Sequence, residues 1–582
     1  MRTIYQFMWG YQHHFRLSLE HTAQYALKRI GVDLKPVAML VGFRATEESQ
    51  RLPICVEPET GDVQPEHLTT VVADGQANYV ASQEFRMFHS DPQLNEIRHA
   101  GYRDRSRADA LGAALSMAPG GSDRVFFVGY SQRIEEHEVH PVLSVDKKEF
   151  ESLPRLTTST HTNMPMTVSL PFGVIQNVLR LATRCMASGE APQGISSLSD
   201  ASDRDAVLAA ARSLVYSVAT MTGNFLAHSL YDALGELVTM PYEGRAGAGG
   251  ICLVDRRHAN ISTVVSLQTP VNITAERQFR KLLEITAPGL DLLCDGEEVY
   301  ALGRLKEGYD QTSENAFRIA VVARGAWELE HSGVGLMRVE HGKPVVPRPR
   351  ISEERFVDTV RRVFATISQD DAARLWKVAL IASKAAHGTM LVITESAEEE
   401  VARLAPQAVA IVPQVLEPEV FHSLTAIDGS LLLAPDGTCH AVGVILDGYA
   451  AGVGDAGRGA RYNSAIRYSR TTSLPCVIVI VSEDGMIDIE PELAPRVAAA
   501  AVEEAVRDFE AAVDGEPLNF EAISKARREV ERLSFYLDAG QVERSNLATE
   551  RAEDLRQQSS GMRIHLAAFE LDPRMNDDYF TD

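Results

Sequence analysis

The chain is poor in cysteine, in tryptophan and in positive charge, and it has no long apolar run. Six cysteines in 582 residues (Cys55, Cys185, Cys252, Cys294, Cys439 and Cys476) stand without CxxC spacing. That excludes a disulfide framework or a cysteine-rich zinc module. Lysine and arginine number 57 against 80 aspartates and glutamates, a formal net charge of −23. Such a balance works against long-range attraction to nucleic acid or anionic membrane, although a local pocket needs only two or three cations. No stretch reaches the roughly 20 apolar residues of a membrane span. The opening "MRTIYQFMWGYQHHFRLSLE" lacks the apolar core and small-residue cleavage site of a signal peptide. A cytoplasmic protein without membrane or nucleic-acid partners is expected.

What is present is a globular composition, 45% apolar and 24% charged, in a chain too long for one ordinary core. The pattern is that of a multidomain α/β protein. Residues 1–150 alternate apolar runs ("PVAMLVGF", "DRVFFVGYS") with helical stretches and read as an α/β or α+β domain. Residues 151–245 read as helical, interrupted by the polar loop "GEAPQGISSLSDASD". Residues 246–345 become a small β-rich domain of short strands between turns. The proline-bearing "KPVVPRPRIS" is the best linker. Residues 350–500 alternate helices and strands, with Ser368 a plausible N-cap, Gly388 a helix stop and the β-branched run 477–481 a central strand. Residues 501–582 read as a helical tail without sustained heptads.

Three pieces of the 350–500 region carry chemistry. "AIDGSLLLAPDG" sets Asp428-Gly429-Ser430 at a strand edge, where an Asp beside an uncovered Gly backbone suits a divalent cation and a sugar hydroxyl. "DAGRGARYNSAIRYS" sets Gly459-Ala460-Arg461-Tyr462-Asn463 at a helix start, adding a guanidinium to backbone N–H groups suited to phosphate. Ser482-Glu483 ends the 477–481 strand, and Glu483 can complete the metal site. A metal, cationic oxygen clamps and an aligned nucleophile are the ingredients of phosphoryl transfer. The bland readings are a turn at Asp-Gly, a solvated arginine and a loop at "SEDG".

In order and spacing, "HGTMLVI", "DGSLLL", "HAVGVIL", "GARYNSA" and "VIVIVSED" resemble the diadenylate cyclase (DAC) domain, the nucleotide-binding domain of the DNA-integrity-scanning type, over about residues 350–500. The resemblance implies a mixed sheet flanked by helices and a reaction joining two ATP into cyclic di-AMP with release of two pyrophosphates. It implies that Asp428 binds metal (Mg or Mn) and activates the 3′-hydroxyl, with Glu483 as the second metal ligand. It places Gly429 and Ser430 beside ribose and phosphate, Arg461 with Ala460 and Asn463 at the phosphates, Ser482 with Glu483 at the same mouth, and Ile445 or Leu446 against adenine. It also implies a homo-oligomer in which DAC domains meet face to face, each holding one ATP, under an N-terminal sensor region.

The motif departs from the family at Ser430, Ala460, Tyr462 and Asn463. Asn463 replaces a second arginine, and one lost guanidinium could cost several kcal/mol of transition-state stabilisation. Arg458 and Arg467 are near enough in sequence to replace it. The alternatives are a catalytically weak or inactive nucleotide-binding sensor, and a transferase using a related nucleotide. Elsewhere, "EEHEVH" puts His137 and His140 three apart among carboxylates, and His13-His14 adds a second pair. On a strand 137 and 140 face opposite ways, so a solvated polar segment is expected rather than a metal site. "RAGAGG" (245–250) reads as a hinge, because phosphate loops lead out of strands, and Trp327 reads as core.

Overall fold

The computed structural model describes residues 5–157, 166–187, 193–194, 203–240, 249–287, 289–347, 353–383, 388–425, 427–448, 459–472, 474–481, 487–560 and 565–581. Two compact units divide at residues 348/349, within the proline-bearing linker. Most of the 189–203 loop and most of the expected hinge at 245–250 lie outside the described residues; Asp203 begins a helix, and Gly249 and Gly250 open a strand.

The first unit holds two sheets. In the smaller, the strands Ile54–Glu57, Val37–Arg44, His137–Asp146 and Arg124–Val128 lie side by side, all antiparallel. The larger has eight strands, with Gly249–Val254 and Asp291–Cys294 paired in parallel near its middle. The helices Gln12–Arg29, Leu170–Met186 and Asp203–Met221 share one core with both sheets, running from Phe15 through Leu143, Val178 and Leu214 to Phe317 and the fully buried Trp327. Gln12–Arg29 buries a single stripe, while Leu170–Met186 and Asp203–Met221 bury residues around more than half of their circumference.

One expectation is corrected here. The 135–140 stretch is solvated only at its start: Glu135 and Glu136 form an exposed turn, whereas the strand from His137 lies between two others, and His137 and His140 are buried. They do point to opposite sides. His137 Nε2 lies 3.5 Å from Cys55 Sγ and 3.0 Å from the Leu52 carbonyl. Across the sheet, His140 Nε2 accepts from Arg107 Nε at 3.0 Å, and Nδ1 meets the Gly129 carbonyl at 2.9 Å.

The second unit runs α1 (Glu353–Val363), α2 (Gln369–Ala382), β1 (Thr389–Thr394), α3 (Ala397–Leu404), β2 (Val409–Val415), α4 (Pro418–Leu424), β3 (Ser430–Leu433), β4 (Thr438–Val444), α5 (Ala460–Thr471), β5 (Cys476–Val481) and β6 (Ile487–Glu490). Three further helices, Ala499–Asp514, Phe520–Arg532 and Ala539–Ser560, pack around Val506, Phe509 and Val530. Ser368 caps α2 by accepting from the Asp371 N–H at 3.1 Å. That helix ends at Ala382, ahead of Gly388.

The sheet order is β2-β4-β3-β1-β5-β6. Only β1 and β3 pair in parallel, so the sheet is mixed. Alternation sorts its side chains between two layers. Leu391, Leu431, Val477 and Val479 face Phe356, Phe364 and Leu375 of α1–α2, while Met390, Leu432, Ile478 and Ile480 face Leu404 of α3 and Ala465 and Tyr468 of α5. The run 476–481 is buried throughout and pairs on both sides, the interior strand its β-branched residues suggest.

Candidate active site

The chain enters β3 through Ile427-Asp428-Gly429. Gly429 has φ +107°, and a Cβ there would lie 2.7 Å from the Gly443 carbonyl carbon on β4. Only glycine satisfies both the backbone angle and this approach. Gly443 itself has φ +61°. Two glycines thus pin the β3 entrance against β4, leaving the Asp428 side chain 98% exposed beyond the sheet edge.

The start of α5 reaches the same point. Gly459 is its N-cap and no side chain caps the helix there. Arg461, in the first turn, is 28% exposed, with its guanidinium 3.5 Å from Asp428 Oδ1. Residues 33 apart in sequence therefore meet at one edge, and a helix N-terminus adds its partial positive charge.

The other expected residues divide. Ala460 is exposed beside Arg461. The Asn463 side-chain amide donates back to the Gly459 carbonyl at 3.2 Å, so it tightens the first turn of its own helix. The Ser430 hydroxyl is buried and donates to the Val444 carbonyl at 2.9 Å, which leaves only its backbone to meet a ligand. Of the adenine candidates, Leu446 is buried in the α3/α5 layer and Ile445 is 59% exposed. Just past the end of β4 the chain turns Leu446 inward, which leaves Ile445 as the side chain open to a ligand. Arg467 lies six residues past Arg461, about 9 Å along the helix and on another face, and its backbone packs on Gly448. Ser482, Glu483 and Arg458 lie outside the described residues.

Sequence reasoning missed a charged cluster behind this edge. Arg403 makes paired contacts with Glu400 (2.8 and 2.7 Å) and with Asp447 (2.6 and 2.9 Å), and the Tyr468 hydroxyl donates to Glu400 at 2.7 Å. Hydrogen bonds from Arg403 lead in holding both carboxyls below their usual pKa, while burial and then Glu400 push the Tyr468 phenol up. The cluster ties α3 to α5 and to the segment after β4, beside a cavity of about 680 Å³. Its only local signal is the i, i+3 pair Glu400/Arg403; Asp447 and Tyr468 join through the fold.

Among the described residues no three His, Cys, Asp or Glu side chains gather into a metal set. An exposed carboxylate is nevertheless the hard oxygen donor that magnesium or manganese prefers. Among the described residues, no helix is long and apolar enough to cross a membrane.

Comparison with known proteins agrees with the motif reading. Residues 379–491 match the DAC family, described as the DisA bacterial checkpoint controller nucleotide-binding domain. Residues 8–215 match DACNG and residues 228–333 match DACNH, each described as a probable sensor domain. No curated protein matches. Among solved structures, a double-cysteine mutant of DacA from Staphylococcus aureus is similar at 18% identity and a TM-score of 0.18, over 21% of this chain and 83% of that one. The chain is diadenylate cyclase-like in its second unit and carries sensor-type domains in its first.

Proposed function

We propose that the second unit condenses two ATP into cyclic di-AMP, releasing two pyrophosphates, under the control of the N-terminal sensor domains. The approach of Asp428 to Arg461 at an edge pinned by Gly429 and Gly443 carries this reading. Gly429 leaves room for a ribose or phosphate against bare backbone. Arg461 and the α5 N-terminus steady charge on the α-phosphate as the new ester bond forms. Asp428 orients the 3′-hydroxyl and takes its proton as that oxygen attacks phosphorus, and pyrophosphate departs from the opposite side. Ile445 offers an apolar surface to the base.

DAC enzymes depend on divalent metals in general. Asp428, with Glu483, would hold magnesium or manganese, whose chemistry is to neutralise phosphate oxygens. Each domain holds one ATP, so the 3′-hydroxyl of one nucleotide meets the α-phosphorus of the other only when two copies face each other. A homodimer, at least transient, belongs to the proposal.

The test is incubation of the full chain with ATP and either metal, followed by mass spectrometry for the cyclic dinucleotide. Asp428→Asn, nearly isosteric, is expected to abolish product and leave folding intact; unchanged turnover would remove the role given to Asp428. The fold-back of Asn463 onto Gly459 favours a second reading, a nucleotide-binding sensor without turnover. Tight ATP binding by the wild type with no product under either metal would decide for it.

A further inference from the structure

The first unit contains a cavity of about 830 Å³, larger than the one beside the nucleotide edge. Its floor is Arg124–Val128, the edge strand of the smaller sheet, and its walls are the helices Pro92–Met117 and Leu170–Met186. Each helix turns a regular stripe toward it. Arg105, Asp109, Gly112 and Ser116 recur at spacings of four, three and four; Phe172, Gln176, Arg180 and Thr183 at four, four and three. On amphipathic helices such stripes normally meet protein core. Here they border open space of a size suited to a small-molecule ligand.

The charge of the lining runs against that of the chain. The protein carries a net −23, yet this cavity has four cations, Arg105, Arg124, Lys147 and Arg180, against one acid, Asp109. Arg124 is engaged internally, bonding to the Ser144 hydroxyl and to the Ser144 and Lys35 carbonyls. Lys147 and Arg180 make no ion pair among the described residues, and both are exposed. Burial pushes the Asp109 carboxyl up, against the pull of Arg105, although the residue stays exposed at the cavity surface. A concave surface lined by one sign of charge concentrates ions of the other. Phe126 and Phe172, both part-exposed, and Tyr130 supply apolar and aromatic wall beside these cations.

We propose that this cavity binds an organic anion with an aromatic or apolar body, its acid group held by Arg105 and Arg180, at the Tyr130 end of the floor strand, and its body by Phe126, Phe172 and Tyr130, while Lys147 adds charge at the opposite end. The site is independent of the cyclase reading, since it lies wholly in the first unit and its test needs no turnover. The probe is 8-anilinonaphthalene-1-sulfonate, a fluorescent aromatic anion, set against N-phenyl-1-naphthylamine, the same body without the sulfonate. The full-length protein is expected to bind the sulfonate saturably and the neutral amine at least about tenfold more weakly, the loss of one charge-assisted contact. Arg180→Gln and Lys147→Gln are exposed changes that leave the core untouched. Arg180→Gln should weaken the sulfonate about tenfold and Lys147→Gln by less, and neither should change binding of the amine. Hydrogen exchange should show sulfonate-dependent protection in peptides covering 105–116 and 172–183. Displacement by phenyl phosphate rather than benzoate would mark a phosphate as the preferred acid group, and the reverse a carboxylate. Equal affinity for both dyes, unaltered sulfonate binding in both variants, protection confined to 379–491, or displacement by neither anion would each overturn the proposal.

Discussion

Gly429→Ala tests the construction of the candidate site more directly than any change to a charged residue. The perturbation is one methyl group. At φ +107° an alanine is strained by about 1–3 kcal/mol, and its Cβ would meet the backbone of Gly443 at 2.7 Å, where no flexible side chain can yield. Overpacking of that kind adds about 1–3 kcal/mol, so a total of about 2–6 kcal/mol is expected. Gly443→Ala is the matched control. Its φ of +61° carries a strain of about 1–2 kcal/mol, but its nearest neighbour is the tip of Ile427 at 3.3 Å, which can give way. Hydrogen exchange of peptides covering β3 and β4 in the full chain reads the difference locally. With each 1.4 kcal/mol worth tenfold, exchange through unfolding should accelerate at least about 25-fold in Gly429→Ala and by about five- to 25-fold in Gly443→Ala, always less than in Gly429→Ala. Equal protection in both variants, or wild-type protection in Gly429→Ala, would refute the argument that backbone approach fixes this glycine.

Asn463→Arg should raise cyclic dinucleotide formation if α5 begins at the leaving pyrophosphate. A tenfold gain, read by product mass spectrometry, needs only about 1.4 kcal/mol of differential stabilisation. Unchanged turnover and ATP affinity would move the phosphates away from this turn. Glu400 has a lowered pKa in the fold, chiefly through Arg403, so its contribution is present above the ordinary carboxylate range and is lost as pH falls through the lowered value. Urea midpoints of the second unit should therefore decline in acid, and Glu400→Gln should flatten that decline; a parallel decline in the variant would dismiss the cluster as the cause. His140 is held neutral to a pKa of about 4, burial being the main cause. Its unfolded form binds a proton near pH 6.5, so first-unit stability should be full above that value and fall progressively toward pH 4. His140→Gln, with an amide able to accept from Arg107 and donate to Gly129, should reduce the slope; an unaltered slope would assign the acid sensitivity elsewhere.

The sequence alone determined the local elements and the identity of the second unit's domain. The continuous apolar runs that form the buried strands 389–394 and 476–481, and the Ser368 cap, follow from short-range propensity, and the observed structure keeps them. The ordered motifs around Asp428 and Arg461 identify the DAC domain because each expresses a local backbone requirement, a glycine turn or a helix start. Tertiary structure decided which of those residues face outward. Ser430 and Leu446 turn into the core and Ile445 turns out, because the path of the chain along and just past its strands, not residue type, sets the side each faces. Burial of His137 and His140 depended on residues far along the chain, Leu52 and Cys55 against the one and Phe43 and Arg107 against the other. The Glu400–Arg403–Asp447–Tyr468 cluster and the cationic cavity of the first unit arise from segments brought together only by packing. A polar residue in sequence looks solvated until the fold supplies the opposite charge, or leaves it unsupplied.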